Sequence, residues 1–558
     1  MSDLRRMDPA GPRQADDRRR GALAAEVLGA ATAVALTIAA LWHVLVTPRV
    51  ALLWYNADSV LLPLIRRAMQ AGLPIEWAMS PTLFVIPEIP VYLACAAVTA
   101  TPQQALALNG FLILLAVYPL LRAVAAQLMP AARQRDRIAV AAAALALLTL
   151  LVFLESDSSP TNLELASLLL TTTYYYGALL ATLGSVALVL RILRSTLLVP
   201  ERVPLLPMIV LAVVAAAVTL SNPLYVPWSA GPAIVTMWLL VVLRRVPIRA
   251  GVLVTASVGI GASLGYLGRI PFARFVTLTP GSYVKPERAA ATVEFFAQVT
   301  DSMTGTPASA AELVLLFAGV LLGVGGMVWS WRVRTALPVL VASSLSVVTV
   351  AALSVGVIVS GSNTPRYLEP IVVMLLVGFI AVAELVRTTV RPTRVARRFR
   401  LGRVLTTVGA VIALALGATL APPAVATVRA AAYDPAQCLD RWVGSRSVQG
   451  VGQYWTVRPL AAYGDPSVDL LQVRSNFHVY PWLNDLGAYR WAHPTYVVVG
   501  AGDVWSVPVE DRLGKPARVT HCTGYDIWDY AGTAGAHTLA SAVRSSGIAE
   551  LRRRGFPQ

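Results

Sequence analysis

The sequence predicts a mainly α-helical, polytopic membrane protein with about 11 transmembrane helices and a small extracytoplasmic α/β domain at the C-terminal end. Hydrophobic residues make up 56% of its 558 residues and charged residues only 14%, whereas soluble globular chains carry about 25% charged residues. Apolar runs of about 20 residues, the length of a spanning helix, recur along most of the chain. Beyond about residue 427 they give way to Gly- and Pro-rich turns and short β-prone runs.

The N-terminal segment 1–22 is charged, and its composition predicts a disordered cytosolic tail. The apolar run from Leu23 to Val46 follows it directly. This run is too long for the core of a cleaved signal peptide, which has about 7–15 residues. We therefore expect it to be retained as the first spanning helix.

Further apolar runs predict the remaining spans, and the charge of their connections predicts the orientation. Basic connections, such as the Arg-rich 387–403, alternate with connections that are poor in positive charge, such as 155–162. Cytoplasmic loops carry an excess of Lys and Arg, so we expect the basic connections and the N-terminus inside. The predicted spans are 104–128, 138–154, 165–193, 204–220, 225–243, 250–267, 309–330, 336–359, 369–387 and 404–426.

The stretch 82–101 is apolar but is not expected to span the membrane. The loop alternation requires an odd number of crossings before the basic connection 133–137, and Pro87, Pro90 and Glu88 suit a spanning helix poorly. We place it along the outer interface. The predicted domains are the tail 1–22, a transmembrane domain 23–426 with outer interface helices at 58–101, and an extracytoplasmic domain 427–558.

The C-terminal domain is expected to combine short strands with helices. Its β-prone runs are 469–474, 495–500 and 517–522. Cys438 and Cys522 both fall in this domain, and in an exported domain they could form a disulfide. Two buried thiols are the alternative.

The basic character of the chain does not indicate a nucleic-acid partner. Its formal net charge of +16 comes almost wholly from arginines that lie in short runs between apolar segments. Membrane topology explains that placement, and no basic foldable domain is left to read nucleic acid. The sequence also lacks a phosphate-cradling P-loop and a dinucleotide Gly pattern, so an ATP-driven pump or a nucleotide-sugar enzyme finds no support.

The segment after the first span has a definite order. "WYNADSVLLPLIRRAMQAGLPIEW" (54–77) presents Asp58 and then a short amphipathic helix, and the Pro-bearing "SPTLFVIPEIP" follows before the next span. This order resembles the GT-C membrane glycosyltransferases, such as the protein O-mannosyltransferases and the aminoarabinose transferases. Asp58 takes the place of that family's first-loop acid, and "RRAMQAGLPIEW" takes the place of its first interface helix.

The resemblance is one of architecture, and two family features are absent. The chain has no His-Pro-Pro-Leu-Gly-Lys run, and Asn109 lies near the position of the arginine common at the start of the family's second span. The resemblance implies a bacterial, multi-pass enzyme of the cell membrane. It implies transfer of a hexose or pentose from a polyprenyl-phosphate sugar in the lipid bilayer to a cell-envelope glycan or protein.

Asp58 is the first candidate catalytic residue. A carboxylate at the membrane face could deprotonate an acceptor hydroxyl as a general base, or it could help to hold a divalent cation, Mg or Mn, against the donor phosphate. The alternative is a structural role, since Asp is a favoured N-cap and a helix is expected to start near Ser59.

Three charged residues could complete the site. Glu88 could be a second acid or metal ligand, or it could point into headgroup water. Arg366 at the outer mouth of a late span could hold the donor phosphate through paired hydrogen bonds, or it could snorkel to the headgroups. Lys285 in the loop 268–308 could meet the same phosphate, or it could simply be solvated.

Sugar or acceptor contacts are predicted for Tyr367, Asn222 and Trp455. Asn222 precedes a proline, which favours a plain turn, and Trp455 could instead belong to the core of a small domain. The three tyrosines within 171–179 are expected to join the aromatic belt at the membrane interface rather than to stack on sugar.

Two other classes of function compete with sugar transfer. A transporter or lipid flippase would place ionisable residues midway along its spans and would show two related halves. A non-catalytic envelope scaffold, whose exported domain binds partners, would be favoured if no outer cavity lay beside Asp58.

Overall fold

The fold is mainly helical, as predicted, and it was obtained as a computed structural model that describes residues 12–159, 161–277, 284–333, 337–389 and 395–557. A helical bundle occupies the chain up to residue 430, and a short strand β1 (Trp77–Ala78) interrupts it. Its helices are α1 (Pro12–Val46), α2 (Leu61–Gln70), α3 (Glu88–Ala97), α4 (Pro102–Leu128), α5 (Gln134–Leu154), α6 (Tyr176–Leu198), α7 (Leu205–Ser221), α8 (Gly231–Val242), α9 (Ile248–Leu267), α10 (Ala289–Ser302), α11 (Pro307–Val333), α12 (Leu337–Val359), α13 (Pro370–Thr389) and α14 (Val395–Ala430).

Nine helices in the described ranges are long and apolar enough to cross a membrane. Two of the predicted spans correspond to the shorter apolar helical segments Leu205–Ser221 and Val226–Val242. In the bundle α1 packs against α4, α5 and α14, and α11, α12 and α13 pack against one another. The total of about 11 spans and their orientation stay predictions.

Two local predictions in the bundle differ from the structure. α1 begins at Pro12 and not at Leu23, so residues 12–22 are helical where disorder was predicted, while residues 1–11 lie outside the described part. The span predicted over 165–193 is α-helical only from Tyr176, after a 3-10 turn at Ser167–Leu170. Three consecutive β-branched threonines lie between the two, and such residues favour helix weakly. The Arg-rich connection falls partly on 390–394, which are not among the described residues.

The segment after α1 forms two short helices, and their placement along the membrane interface stays a prediction. α2 is amphipathic, with Leu61, Leu62 and Ala68 buried and Met69 exposed. α3 has 10 residues, and at about 1.5 Å per residue it covers only about half of a bilayer core of roughly 30 Å. Neither helix is long enough to span the membrane.

The C-terminal domain is an α/β unit built on a five-stranded sheet. The strand order is β3-β2-β5-β7-β6, with β3, β2 and β5 parallel and β7 antiparallel to both β5 and β6. Its elements are α15 (Asp434–Val443), β2 (Gln449–Gln453), α16 (Tyr454–Tyr463), β3 (Asp469–Val473), β4 (Asn484–Asp485), β5 (Tyr496–Gly500), α17 (Val509–Leu513), β6 (Arg518–Cys522), β7 (Tyr525–Asp529) and α18 (Ala534–Arg554).

The central strand β5 separates two hydrophobic cores. Val497 packs in the core that includes Leu539 of α18, whereas Val498 packs on the opposite face with Leu439 of α15. Successive strand residues point to opposite faces, so a strand covered on both sides reads as a continuous apolar run. The runs predicted at 469–474, 495–500 and 517–522 are β3, β5 and β6. β2, which contains two glycines, and β7 were not predicted.

A disulfide joins α15 to β6, the strand at one edge of the sheet. Cys438 of α15 and Cys522 of β6 are bonded, with their Cα atoms 5.9 Å apart. The alternative of two buried thiols is therefore wrong. Cys95, in contrast, is a buried free cysteine of α3.

The C-terminal domain packs on the segment that follows α1. β1 pairs antiparallel with β4, which joins the two segments into one small sheet. Arg490 Nη2 lies 2.9 Å from Glu76 Oε2, and Arg67 of α2 donates a hydrogen bond of 2.9 Å to the carbonyl of Asp465. Helix α2 and the C-terminal domain therefore lie at the same end of the bundle.

This contact should make stability depend on pH through Asp485. Burial raises the pKa of the Asp485 carboxyl from 3.8 to about 6. Its protonated form is favoured in the folded state, so its contribution to stability is complete below about pH 3.8 and is lost as the pH rises through about 6. We expect Asp485→Asn to raise the thermal midpoint more at pH 7.5 than at pH 4.5. The amide oxygen of the substituted side chain can still accept the 3.0 Å hydrogen bond from the Gly487 N–H.

A matched variant of an exposed carboxylate, Asp511→Asn, should change the midpoint little at either pH. Thermal unfolding of the detergent-solubilised protein, followed by tryptophan fluorescence, measures both variants. An equal shift for Asp485→Asn at the two pH values would contradict the linkage.

Candidate active site

Three distant segments meet at Asp58. Its Oδ2 accepts a hydrogen bond of 3.0 Å from Arg366 Nη1, and its Oδ1 accepts one of 2.6 Å from the Tyr454 hydroxyl. Asp58 follows the end of α1, Arg366 lies where α13 begins, and Tyr454 begins α16 of the C-terminal domain. The carboxylate therefore joins the segment after α1, the start of α13 and the C-terminal domain.

The backbone explains why the carboxylate is available for these contacts. α2 begins at Leu61, its N-cap residue is Val60, and no side chain caps it. The Asp58 N–H instead donates to Asn56 Oδ1 at 2.9 Å, in a local turn that Asn favours. The helix-cap alternative for Asp58 is therefore wrong.

Tyr454 fixes the carboxylate from the side of the C-terminal domain. Its side chain is buried, and burial together with the nearby Asp58 charge raises the pKa of its hydroxyl well above the ordinary value. The phenol thus stays protonated and donates to Asp58. Its neighbour Trp455 is 58% exposed, with ring centroids 5.0 Å apart in an edge-to-face contact. Trp455 is therefore a surface residue beside the site and not part of a domain core.

Arg366 lies in the 3-10 turn Pro365–Leu368. Its guanidinium carbon is 5.2 Å from the ring centroid of Tyr174 and 6.0 Å from that of Tyr175, and Tyr175 also contacts the ring of Tyr367. Within the described residues its Nε has no hydrogen-bond partner. The side chain is turned inward to Asp58 and is only 23% exposed, so the headgroup-snorkelling alternative is wrong.

The tyrosine run does not form an interface belt. Tyr174, Tyr175 and Tyr176 are 0%, 8% and 1% exposed. They lie where a buried loop turns into α6, and Tyr175 adopts a left-handed backbone with φ of 67°. The belt prediction is wrong because α6 starts only at Tyr176, and Tyr174 belongs to the Asp58 surroundings.

Lys285 contacts the loop that precedes Arg366, but it does not contact Asp58 within the described residues. Its backbone N–H donates a 2.7 Å hydrogen bond to the carbonyl of Ser360, in the loop that leads to Arg366. The side chain is half-buried. No hydrogen bond or ion pair links it to Asp58 or Arg366 in the ranges given above.

Glu88 and Asn222 form a second buried polar group. Glu88 is 1% exposed, and the Ser221 hydroxyl donates to its Oε2 at 3.4 Å. Burial raises the pKa of Glu88 to about 8. Asn222 Oδ1 accepts from the Leu224 N–H at 3.0 Å and from the Thr82 hydroxyl at 3.4 Å.

This second group corrects the expectations for Glu88. Because its side chain is buried, it does not point into headgroup water. Among the described contacts none joins it to Asp58, so the structure does not bring the two acids together. Asn222 forms the turn that its proline neighbour favours, and it does so beside Glu88.

A buried ionic cluster at the end of α1 was missed from the sequence. Arg49 Nη2 lies 3.1 Å from Glu155 Oε2, Arg49 Nη1 lies 3.6 Å from Glu164 Oε2, and Arg49 Nε donates to Ser167 Oγ at 2.8 Å. Arg49 and Glu155 are 1% and 0% exposed. Glu155, the first residue of the connection 155–162, is therefore part of the buried interior. The one available signal was an arginine just beyond the first span, on the side where positive charge is not expected.

The residues around Asp58 do not fit a divalent cation. Both carboxylate oxygens already accept hydrogen bonds, one of them from a guanidinium. In the part of the chain that the structure describes, no group of three or more His, Cys, Asp or Glu side chains could hold a metal ion. No reaction step is therefore assigned to Mg or Mn.

Neither protein-family models nor curated protein sequences match this chain. Among solved structures it is similar to an oligosaccharyltransferase of Archaeoglobus fulgidus in the apo form, with 12% identity over 88% of this chain and 70% of that chain and a TM-score of 0.43. It is also similar to the oligosaccharyltransferase AglB of the same organism in complex with an inhibitory peptide and a dolichol-phosphate, with 12% identity over 84% and 69% and a TM-score of 0.40. Similarity of this extent carries no argument about activity, which has to come from the residues themselves.

Proposed function

We propose that this protein transfers a sugar from a polyprenyl-phosphate-linked donor to a cell-envelope acceptor, a glycan or a protein, at the outer face of the cell membrane. The observation that carries the proposal is the convergence of a carboxylate, a guanidinium and a phenol at the end of the bundle where the C-terminal domain packs. The Asp58 and Arg366 side chains keep 10% and 23% of their surface exposed, so reactants can reach both.

Asp58 is assigned the role of general base. An ionised carboxylate offers about four lone-pair positions, and here Arg366 and Tyr454 occupy one each. A remaining position takes the proton of the acceptor hydroxyl as its oxygen bonds to the anomeric carbon. The bond from that carbon to the phosphate oxygen breaks, and its electron pair leaves with the polyprenyl phosphate. Tyr454 orients the carboxylate.

Arg366 is assigned to the donor phosphate. Its Nη1 is engaged by Asp58 and its Nε is buried, so the part of the guanidinium that stays exposed is assigned to donate to a phosphate oxygen. Hydrogen bonds between a guanidinium and a phosphate are charge-assisted and short. The same side chain would then hold the leaving group close to the base.

Three further residues keep more distant roles in the proposal. Trp455 offers an exposed ring beside Tyr454 on which a sugar face can stack, and Tyr367 lies next to Arg366. Lys285 adds positive charge near the loop that carries Arg366. Asn222 and Glu88 belong to a separate polar group. Neither of these two residues is assigned a contact with the reacting atoms.

The positions of buried acids favour an enzyme over a transporter. Glu312 lies near the start of α11, and Glu384 lies near the end of α13, where it pairs with Arg387 at 2.6 Å. A transporter is expected to place such groups midway along its spans. These carboxylates are instead at helix ends, which supports chemistry at the membrane face.

The proposal is tested by reconstituting the full chain in proteoliposomes with a panel of polyprenyl-phosphate sugars and envelope extract as acceptor. We expect transfer by the wild type. Arg366→Lys should lower it by about 10- to 100-fold, which corresponds to the ~1.5–3 kcal/mol of a hydrogen bond to a charged group. Lysine keeps the charge but not the planar fork.

Arg518→Lys, a change of an exposed arginine on β6, is the matched control and should transfer like the wild type. Wild-type rates for Arg366→Lys would contradict the phosphate role. A folded wild-type protein that transfers no sugar from any donor of the panel would count against the proposed function itself.

A further inference from the structure

A cavity of about 590 Å³ lies between α2 and the C-terminal domain. Binding sites for small molecules have volumes of about 300–1,000 Å³, so the size suits a single ligand. Asp58 and Tyr454 do not line this cavity, which makes it distinct from the proposed active site. The lining residues that matter here are Arg67, Trp77, Arg458, Asp469, Gln472 and Trp491.

Arg458 is the most unusual group in the cavity wall. It follows Tyr454 by one helical turn on α16 and is only 5% exposed. Its Nε and Nη2 have no hydrogen-bond partner within the described residues. Its guanidinium carbon lies 5.9 Å from the ring centroids of both Trp77 and Tyr454. The carboxylates of Asp58 and Asp485 are near enough to interact with its charge, but neither forms a hydrogen bond with it among the described residues. A buried cation without hydrogen-bonded partners is costly, and an anionic ligand would supply them.

The other walls of the cavity offer the groups that recognise sugar hydroxyls. Asp469 accepts a 2.6 Å hydrogen bond from Gln449 Nε2 and has further acceptor capacity, and Gln472 Oε1 is buried without a partner among the described residues. Trp491, which is 70% exposed, stands at the mouth of the cavity with its ring available for stacking. The hydrogen-bond acceptors suit sugar hydroxyls, the exposed ring suits a sugar face, and the buried guanidinium suits a negatively charged group. Together they favour a sugar that carries a negative charge.

We propose that this cavity is a binding site for an acidic sugar, meaning a carbohydrate ring that carries a carboxylate or a phosphate. The acidic group binds Arg458, hydroxyls donate to Asp469 and Gln472, and the ring stacks on Trp491. Because α16 carries both Tyr454 and Arg458, the ligand sits one helical turn from the residue that holds Asp58. The site goes beyond the proposed transfer and does not depend on it.

The test is isothermal titration calorimetry of the full chain in detergent, with glucuronic acid, glucose 6-phosphate, glucose and inorganic phosphate as separate probes. We expect at least one of the two acidic sugars to bind at least tenfold more tightly than glucose and than inorganic phosphate. The acidic sugar that binds more tightly shows whether the site prefers a carboxylate or a phosphate. Arg458→Gln should weaken its binding at least tenfold, and Arg518→Gln should not.

Two further variants keep the test decisive even if the Arg458→Gln protein does not fold. Trp491→Ala removes an exposed ring, leaves the buried core intact, and should also weaken the acidic sugar at least tenfold. Asp301→Asn, which changes an exposed carboxylate at the end of α10, should leave binding unchanged. Because no donor or acceptor is present in the titration, failure here is separate from failure of sugar transfer. Equal affinity for glucose and the acidic sugars, equal affinity for inorganic phosphate, or no effect of Trp491→Ala would each overturn the proposal.

Discussion

Asp58→Asn is expected to lower the rate of sugar transfer by about 10²- to 10⁴-fold in proteoliposomes, the usual contribution of a general base. The substitution keeps the size of the side chain and one acceptor oxygen, so a hydrogen bond from Arg366 or Tyr454 survives. What is lost is the group that takes the proton. Transfer is measured with the donor that gives the highest wild-type rate, at saturating acceptor.

Asp301→Asn is the matched control, because Asp301 is an exposed carboxylate at the end of α10. It should transfer like the wild type. The thermal midpoint of Asp58→Asn has to stay close to that of the wild type for the rate to be interpreted. Undiminished transfer by a folded Asp58→Asn protein would make the carboxylate a structural tie between Arg366 and Tyr454 and would exclude it as the base.

Arg49→Met is expected to produce the largest loss of stability, about 3–5 kcal/mol in the free energy of unfolding. Arg49 is buried against Glu155 and Glu164, at 3.1 and 3.6 Å. Without the guanidinium, the buried carboxylates lose the cation that compensates their charge. Removing one partner of a buried ion pair costs more than replacing the whole pair by apolar residues. Urea denaturation in detergent, followed by tryptophan fluorescence, measures the difference from the wild type.

The surface pair of Arg135 and Asp136 provides the comparison. Arg135 is 46% exposed, and its Nε lies 3.8 Å from Asp136 Oδ1. Exposed pairs contribute about 0–1 kcal/mol, so Arg135→Met should change stability by no more than that. If the two methionine variants were equally stable, the Arg49 cluster would not be holding the ends of α1 and α5 together.

The sequence by itself determined the class of the protein and the type of most elements. Long apolar runs have one stable outcome in a bilayer, since a helix satisfies all of its own backbone hydrogen bonds. The alternation of polar turns with β-branched runs likewise located β3, β5 and β6. It also marked Asp58 and Arg366 as polar residues at unusual places. These are local properties, and local periodicity and composition report them directly.

The tertiary structure alone decided which of these residues meet. Asp58 contacts Arg366 and Tyr454 across 308 and 396 positions of the chain, and no pattern within a window of the sequence encodes such a pairing. It also separated Glu88 from Asp58, paired Arg49 with Glu155 and left Arg458 buried beside a cavity. The reason is that hydrophobic burial determines which face of a helix or strand is covered, but it does not determine which polar side chains meet there. The position of each polar side chain follows from how the helices and the C-terminal domain pack, because a buried polar group has to find its partner wherever that packing places one.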